Sequence, residues 1–205
     1  MNESYKETLF NFLYGDINGY SVSHEAREKH NNSESVKDLL YGEVPFKTLE
    51  EILKKANPVE NGVFFDLGSG TGRIVIAMNL LSNFSKTVGV ELLEILHQKA
   101  CEVKKEFENH VVPKIPNYDK NREINFLNAS ILDVDLSEAD FVFMNHPFKD
   151  RDLFAKLEEK LISELKKGTK IVTIIRKLEN PKIKFINSQK YNFSWGESTA
   201  YFHTI

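Results

Sequence analysis

The chain has 205 residues, 41% of them hydrophobic, and a formal net charge of −3. That length suits one compact domain with a short elaboration, and the mildly acidic balance argues against wholesale binding to a polyanion, which needs a strongly basic domain. The single cysteine, Cys101, excludes a disulfide within the chain and fits a reducing compartment. Set among Glu102, Lys104 and Lys105 in a helical stretch, with no histidine partner evident, it reads as a half-buried packing residue rather than a catalytic thiol. The first residues lack the basic start and apolar run of a secretory signal. The longest apolar stretches, such as IVIA from Ile74, are too short to cross a bilayer. The expectation is a soluble, cytoplasmic protein that engages no membrane.

Residues 1–60 read as an N-terminal helical segment with one polar interruption, SHEAREKHNNSES from Ser23 to Ser35, either a surface loop or a frayed helix. A short approach segment follows, then a helix from about Phe46 to Ala56 with Leu49, Ile52 and Leu53 on one face, stopped by Asn57-Pro58. Over 61–205 the pattern changes. VFFDL is a short buried strand, GSGTGR a tight turn, and IVIAMNLL the start of a helix. Strand TVGVE, a charged helix from about Leu92 to Phe107, and a loop with Pro113 and Pro116 come next. Strands INFL and DFVFM, a helix from about Asp152 to Lys167 and strand KIVTII complete an alternation that predicts an α/β domain with a mainly parallel sheet. From Ile183 to Ile205, two alternating stretches separated by a glycine turn predict an antiparallel hairpin closing one sheet edge.

The strongest signal is FDLGSGTGR, residues 65–73. A glycine turn between strand and helix lets the backbone approach a ligand and exposes free N–H groups at the helix start. Gly68, Gly70 and Gly72 follow G-x-G-x-G rather than the G-x-G-x-x-G of dinucleotide enzymes. Asp66, at the strand end, would repel a pyrophosphate but attract the ammonium of S-adenosyl-L-methionine. Glu91 ends the next strand, where an acid accepts both hydroxyls of a ribose. The cofactor-binding set is therefore Asp66, Gly68, Ser69, Gly70, Gly72 and Glu91. A third strand should end beside the adenine, near Ser130 and Ile131. Asp133 is the second candidate there, or else a solvated loop acid. No metal is expected.

The fourth strand runs into Asn145-His146-Pro147-Phe148, and a loop at that strand's carboxyl end faces the cofactor crevice. Asn145 can hold an N–H-bearing acceptor with its lone pair toward the methyl donor, and Phe148 offers an apolar face. The tetrapeptide resembles the N-P-P-F motif of amino-group methyltransferases, with His146 replacing the first proline. A lysine acceptor must lose its proton first, since its free pKa is about 10.4. Desolvation in a narrow aromatic channel and the sulfonium charge both favour that loss. Phe148, Trp195 and Tyr201 are the candidate walls. His146 is either a base or a packed or surface histidine.

LYGEVPF, DLGSGTG, GVE, FMNHPF and the closing NFSWGESTAYFHTI together resemble the Dot-type (disruptor of telomeric silencing) protein-lysine methyltransferases, which lack a SET domain; the similarity spans roughly Leu40 to Ile205. It implies a Rossmann-like class I methyltransferase fold: a seven-stranded, mostly parallel sheet with an antiparallel C-terminal hairpin and helices on both faces. It also implies that Tyr41 lies in a loop covering the cofactor and that Asn145 and Trp195 line a lysine channel, with Asn145 near the cofactor as well. This chain departs from the family at Asn145-His146-Pro147, where N-N-F is usual, and at Ser130, where an acid is usual. The terminal loop is shorter, so the family's channel tyrosine corresponds to Tyr201 or falls on Ala200. The one cationic region, Lys160 to Lys190, reads either as solvated charge or as a dock for an acidic partner. The expected partner is a protein presenting a lysine side chain; nucleic acid is not favoured. The alternatives are a nucleic-acid base or small-amine N-methyltransferase, and a cofactor-binding pseudoenzyme.

Overall fold

The computed structural model describes residues 3–30, 39–146 and 148–205. Helices α1 (Glu3–Tyr14), α2 (Gly19–Lys29) and α3 (Phe46–Ala56) open the chain. There follow β1 (Val63–Leu67), α4 (Arg73–Leu81), β2 (Lys86–Glu91), α5 (Glu94–Glu106) and β3 (Glu123–Asn128). Next come β4 (Phe141–Asn145), α6 (Arg151–Glu164), β5 (Lys170–Ile174), β6 (Lys184–Phe193) and β7 (Gly196–Thr204). The strands form one seven-stranded sheet in the order β3-β2-β1-β4-β5-β7-β6. Neighbours from β3 to β5 are parallel, and β7 runs antiparallel to both β5 and β6. The winding reverses between β1 and β4, so a crevice opens where these strands end.

The central strands are apolar because both their faces are covered. On one face, Leu9, Phe10, Leu13 and Tyr14 of α1, Leu49 and Ile52 of α3, and Ile74 to Met78 of α4 pack on Phe64, Phe141, Phe143, Val172 and Phe202. On the other, Phe154, Leu157 and Leu161 of α6 meet Phe65, Val142, Met144 and Ile171, helped by Val134 and Leu136 from the helix-free β3–β4 connection. Among the described residues no helix is long and apolar enough to cross a membrane.

Several element boundaries differ from expectation for local reasons. Ser23 to Lys29 is regular helix in α2, which Asn18 caps by accepting the Ser21 N–H at 3.1 Å; Asn31 to Ser35 of the expected interruption lie outside the described residues. Helix α5 passes into a π-helical turn at Phe107–Val111. Helix α6 stops at Glu164, where Leu165 turns extended and Gly168 takes φ +93° to start β5. Cys101 does have a histidine neighbour: His97, one turn earlier on α5, places Nε2 at 3.6 Å from Sγ. That spacing of four residues was visible in the chain.

Candidate active site

The floor of the site is the β1–α4 elbow. Ser69 and Gly68 both donate backbone N–H bonds to the Val90 carbonyl at 2.9 Å, which ties the elbow to β2. Glu91 braces it from the side. One carboxylate oxygen accepts the Gly70 N–H at 2.8 Å and the other the Leu93 N–H at 2.9 Å. Each oxygen retains a further lone pair. Burial pushes the Glu91 carboxyl up, against the opposing pull of those N–H groups.

Asp66 lies beneath, wholly buried, and neither of its oxygens has a hydrogen-bond partner. Burial first, and the Glu91 charge second, push its carboxyl well above the usual carboxylate range. A buried carboxyl without a partner is costly unless a cation meets it. The ammonium of a methionine group would supply that cation, and Glu91 keeps acceptor capacity for a ribose, so these donors and acceptors fit S-adenosyl-L-methionine.

Beyond β3 the fit is less direct. Asn128 donates to the carbonyls of Glu91 and Leu92 at 2.9 and 3.1 Å, closing the β2–α5 turn. Ser130 is half-buried, and its hydroxyl accepts the Leu132 N–H at 3.2 Å. Ile131 is also half-buried, against the α6-side core, while Asp133 is exposed.

The roof is a strap around Tyr41 to Glu43. The Tyr41 hydroxyl donates to Glu43 at 3.1 Å and lies 3.1 Å from the Thr71 hydroxyl. Its ring sits so close over the elbow that a Cβ on Gly70 would come within 2.9 Å of it, and Gly70 has φ +53°. Only glycine satisfies both demands. Glu43 also faces Arg73 at 3.6 Å, and the Arg73 guanidinium lies over the Tyr14 ring, 4.6 Å from its centroid.

Three distant segments converge on that strap. Asn145, ending β4, donates its amide N–H to the Gly42 carbonyl at 2.9 Å, while its own amide oxygen is buried without a partner. In the β6–β7 turn, Ser194 accepts the Glu43 N–H at 3.2 Å and returns its own N–H to the Glu43 carbonyl at 3.3 Å. The Tyr20 hydroxyl of α2 meets the Ser194 hydroxyl at 2.7 Å. Trp195 stacks on Phe193 with centroids 4.7 Å apart and donates its indole N–H to Ser198 at 2.8 Å. Its ring edge lies where a Cβ on Gly42 would come within 2.4 Å, and it remains 38% exposed.

Asn145 and Trp195 are thus joined through Gly42, whereas the other two channel candidates lie elsewhere. Phe148 is half-buried and packs against the α6-side core. Tyr201 pairs with Thr173, itself opposite Met144. Asn145 pairs with Ile174, itself opposite Ala200. Since side chains in one register row share a face, Ala200 is on the face of Asn145 and Tyr201 on the other. His146 is half-buried with φ +61°; burial lowers its pKa, and the Lys149 and Arg176 charges add to that. Pro147 lies outside the described residues.

Much of the cationic region is engaged locally: Lys160 with Glu164, Lys166 with Asp140, Lys190 with Glu197. Sequence reasoning missed Tyr20, Thr71, Arg73 and Ser194. The last stands beside a tryptophan already singled out; Tyr20 carries no local signal, because its role depends on a contact 174 residues away.

This sheet order, with a glycine elbow after β1 and an acid ending β2, defines the class I methyltransferase fold. An RNA methyltransferase from Salinibacter ruber, solved with S-adenosyl-L-homocysteine, shares it with a TM-score of 0.60 and 26% identity, covering 78% of this chain and 90% of that one. Within that class, the family model of the histone methylation protein DOT1 matches residues 20–198, and the chain belongs to this family. It is 31% identical over 135 residues to a histone-lysine N-methyltransferase, H3 lysine-79 specific, of Caenorhabditis elegans, a match covering 65% of this chain and 14% of that protein. It is 29% identical over 136 residues to a protein-lysine N-methyltransferase of Saccharolobus islandicus (strain REY15A), covering 65% of this chain and 74% of the relative.

Proposed function

We propose that this chain transfers the methyl group of S-adenosyl-L-methionine to the ε-amino group of a lysine in a protein substrate. The observation that carries the reading is the gathering of buried polar atoms without partners at the carboxyl ends of the central strands β1 and β4: both Asp66 oxygens, the Ser69 hydroxyl and the Asn145 amide oxygen. Buried polar groups in folded proteins are as a rule satisfied, so several orphans grouped at one crevice argue for a ligand there. Asp66 would hold the ammonium, Glu91 the ribose hydroxyls, and the backbone of Gly68 to Gly72 the methionine end, with Tyr41 closing over them. Ser130 and Ile131 would border the adenine. When bound, the cofactor supplies an already activated methyl group.

What remains for the protein is placement and deprotonation of the amine. Asn145 offers its free amide oxygen to an amine N–H, orienting the lone pair, and in-line positioning of that kind supplies most of the rate in such transfers. Trp195 forms the exposed wall of the slot. A flat aromatic wall strips water from the lysine head and so favours its neutral form. His146, whose pKa burial and two neighbouring cations lower, would take the released proton directly or through water. Phe148 and Tyr201 support the loop and hairpin from the far face.

The reading is tested with isotopically labelled cofactor and a cell lysate, followed by hydrolysis and identification of the labelled residue. Label in methylated lysine is the expected result. Label confined to nucleic acid would overturn the choice of acceptor and favour base methylation, a reading to which the likeness to the Salinibacter RNA methyltransferase and the Asn145–Phe148 sequence lend some weight. Binding without any transfer would leave a cofactor-binding module.

A further inference from the structure

Immediately beyond β5, Ile175 has φ +73°. A β-branched residue takes up that left-handed region only when its surroundings force it. Here they do. The Arg176 N–H donates to the Ile174 carbonyl, two residues back, at 2.9 Å, and the Ile175 N–H donates to the Thr199 carbonyl of β7 at 2.9 Å. The first of these bonds, with that φ, is the signature of a three-residue γ-turn, an uncommon and strained connection. The Thr173 hydroxyl donates to the Arg176 carbonyl at 2.6 Å and closes the turn from the strand side.

The turn sends the Arg176 side chain back across the exit of the neighbouring strand. Its Nη1 group donates to the Phe148 carbonyl and, at 3.3 Å, to the Lys149 carbonyl. The guanidinium carbon lies over the ring of Phe154 in α6, 3.5 Å from its centroid. Those two carbonyls precede α6, whose cap is Asp150, so they have no helical donors of their own. The segment so held is the one that carries Asn145 and His146. The two strands leave the sheet side by side, since Asn145 pairs with Ile174, and each exits through a left-handed residue, His146 and Ile175.

We propose that Arg176 is a positioning residue: fixed by the Ile174–Arg176 turn, it clamps the loop leaving β4 and thereby holds Asn145 and His146 at the transfer slot. The role rests on the methyl-transfer reading for its consequence, but the clamp itself does not. Arginine suits it where lysine does not, because a planar head can bond two carbonyls and stack on a ring together. Paired backbone strain beside a transfer site is where a fold stores the constraint that a mobile loop lacks.

The test uses the full chain with Arg176→Ala, Arg176→Lys and Ile175→Gly. Amide hydrogen exchange reads the clamp without any substrate. Exchange at Leu153 and Phe154, whose N–H groups bond to Asp150 at the end of the clamped loop at 2.8 and 3.1 Å, should quicken about tenfold in both Arg176 variants while β1 and β4 amides stay protected. Ile175→Gly should keep the loop protected, since glycine adopts that φ unforced. Labelled methyl transfer to lysate protein at saturating cofactor should fall about tenfold or more in both Arg176 variants, as a displacement near 1 Å produces, with S-adenosyl-L-homocysteine affinity within twofold of the parent. Unchanged exchange at Leu153 and Phe154 would overturn the clamp. Cofactor affinity falling in step with transfer would show a general structural role instead and overturn the positioning assignment. If the parent chain labels no protein, the lysine reading fails, and the exchange result still decides the clamp.

Discussion

The floor and the roof of this site are built by different means. The floor is local: Asp66, the elbow and Glu91 sit on two adjacent parallel strands, locked by backbone bonds of 2.9 Å to the Val90 carbonyl and by the Glu91 carboxylate on the Gly70 and Leu93 N–H groups at 2.8 and 2.9 Å. The roof is assembled from α2, the strap, the exit of β4 and the β6–β7 turn, and it hangs on side-chain bonds such as Asn145 to Gly42 at 2.9 Å and Tyr20 to Ser194 at 2.7 Å. A floor of that kind is preorganised by the sheet. A roof of this kind is only as well placed as its individual contacts, and one glycine, Gly42, meets both Asn145 and Trp195, so it would serve the proposed cofactor cover and amine slot together.

Mutations can break the comparison. The largest effect should come from the floor: Asp66→Asn should weaken S-adenosyl-L-homocysteine binding about 100-fold by calorimetry, because a charge-assisted bond to the ammonium is lost. Its sign with pH is also set. Asp66 must ionise to meet the ammonium, and its carboxyl lies well above the usual range in the free chain, so parental affinity should fall as pH drops through that raised value. An Asp66→Asn variant with parental affinity would mean that the floor does not hold the cofactor. Next comes the roof: Asn145→Ala should lower turnover about 50-fold through lost orientation of the amine. Cofactor affinity should stay within a few-fold. Equal losses in affinity and turnover would erase the distinction between the two regions.

Acid should act on the hairpin that carries Trp195. His203 of β7 is buried with neither ring nitrogen partnered, and burial first, the Lys177 charge second, hold its pKa down to about 4. The ring is therefore neutral in the fold and protonates more readily in the unfolded chain. Stability should be complete above pH 6.5 and be lost as pH falls from there toward 4, by on the order of 2 kcal/mol in denaturant titrations. His203→Gln should flatten that slope. The smallest effect sharpens the shared wall: Gly42→Ala places a methyl against Trp195, and turnover and cofactor affinity should each fall about tenfold, since overpacking of this sort shifts both partners. A loss in only one of them would show that cover and slot move separately.

Legibility in the sequence follows the same division. The strands, α3 and the elbow were readable because their signals are periodic and contiguous: VFFDL is buried on both faces, and the glycines with Asp66 and Glu91 lie within 26 residues. Of the roof, Asn145 was readable from its place at the end of the fourth strand and Trp195 as a candidate aromatic wall; resemblance added Tyr41 as a cover, but could not say on which face a hairpin residue points. Register settles that, and register depends on the turn and on the bulge between Phe185 and Asn187. Tyr201 therefore lies opposite Asn145's face, and Ala200 on it. Arg176 was read as one cation in a basic stretch. Its work depends on a backbone torsion at Ile175 that no residue-type preference announces.

Helix α1 lies before residue 20, where the family match begins. Yet its Leu9, Phe10, Leu13 and Tyr14 are at most 8% exposed, and Tyr14 reaches the elbow through Arg73. Burying such side chains stabilises by about 2 kcal/mol apiece, which for four of them is of the order of a whole domain's margin. Folding thus depends on a helix that the family match does not reach: a fragment begun at residue 20 would expose an oily seam under the sheet and melt without a cooperative transition, with every residue of the proposed reaction site still in its sequence.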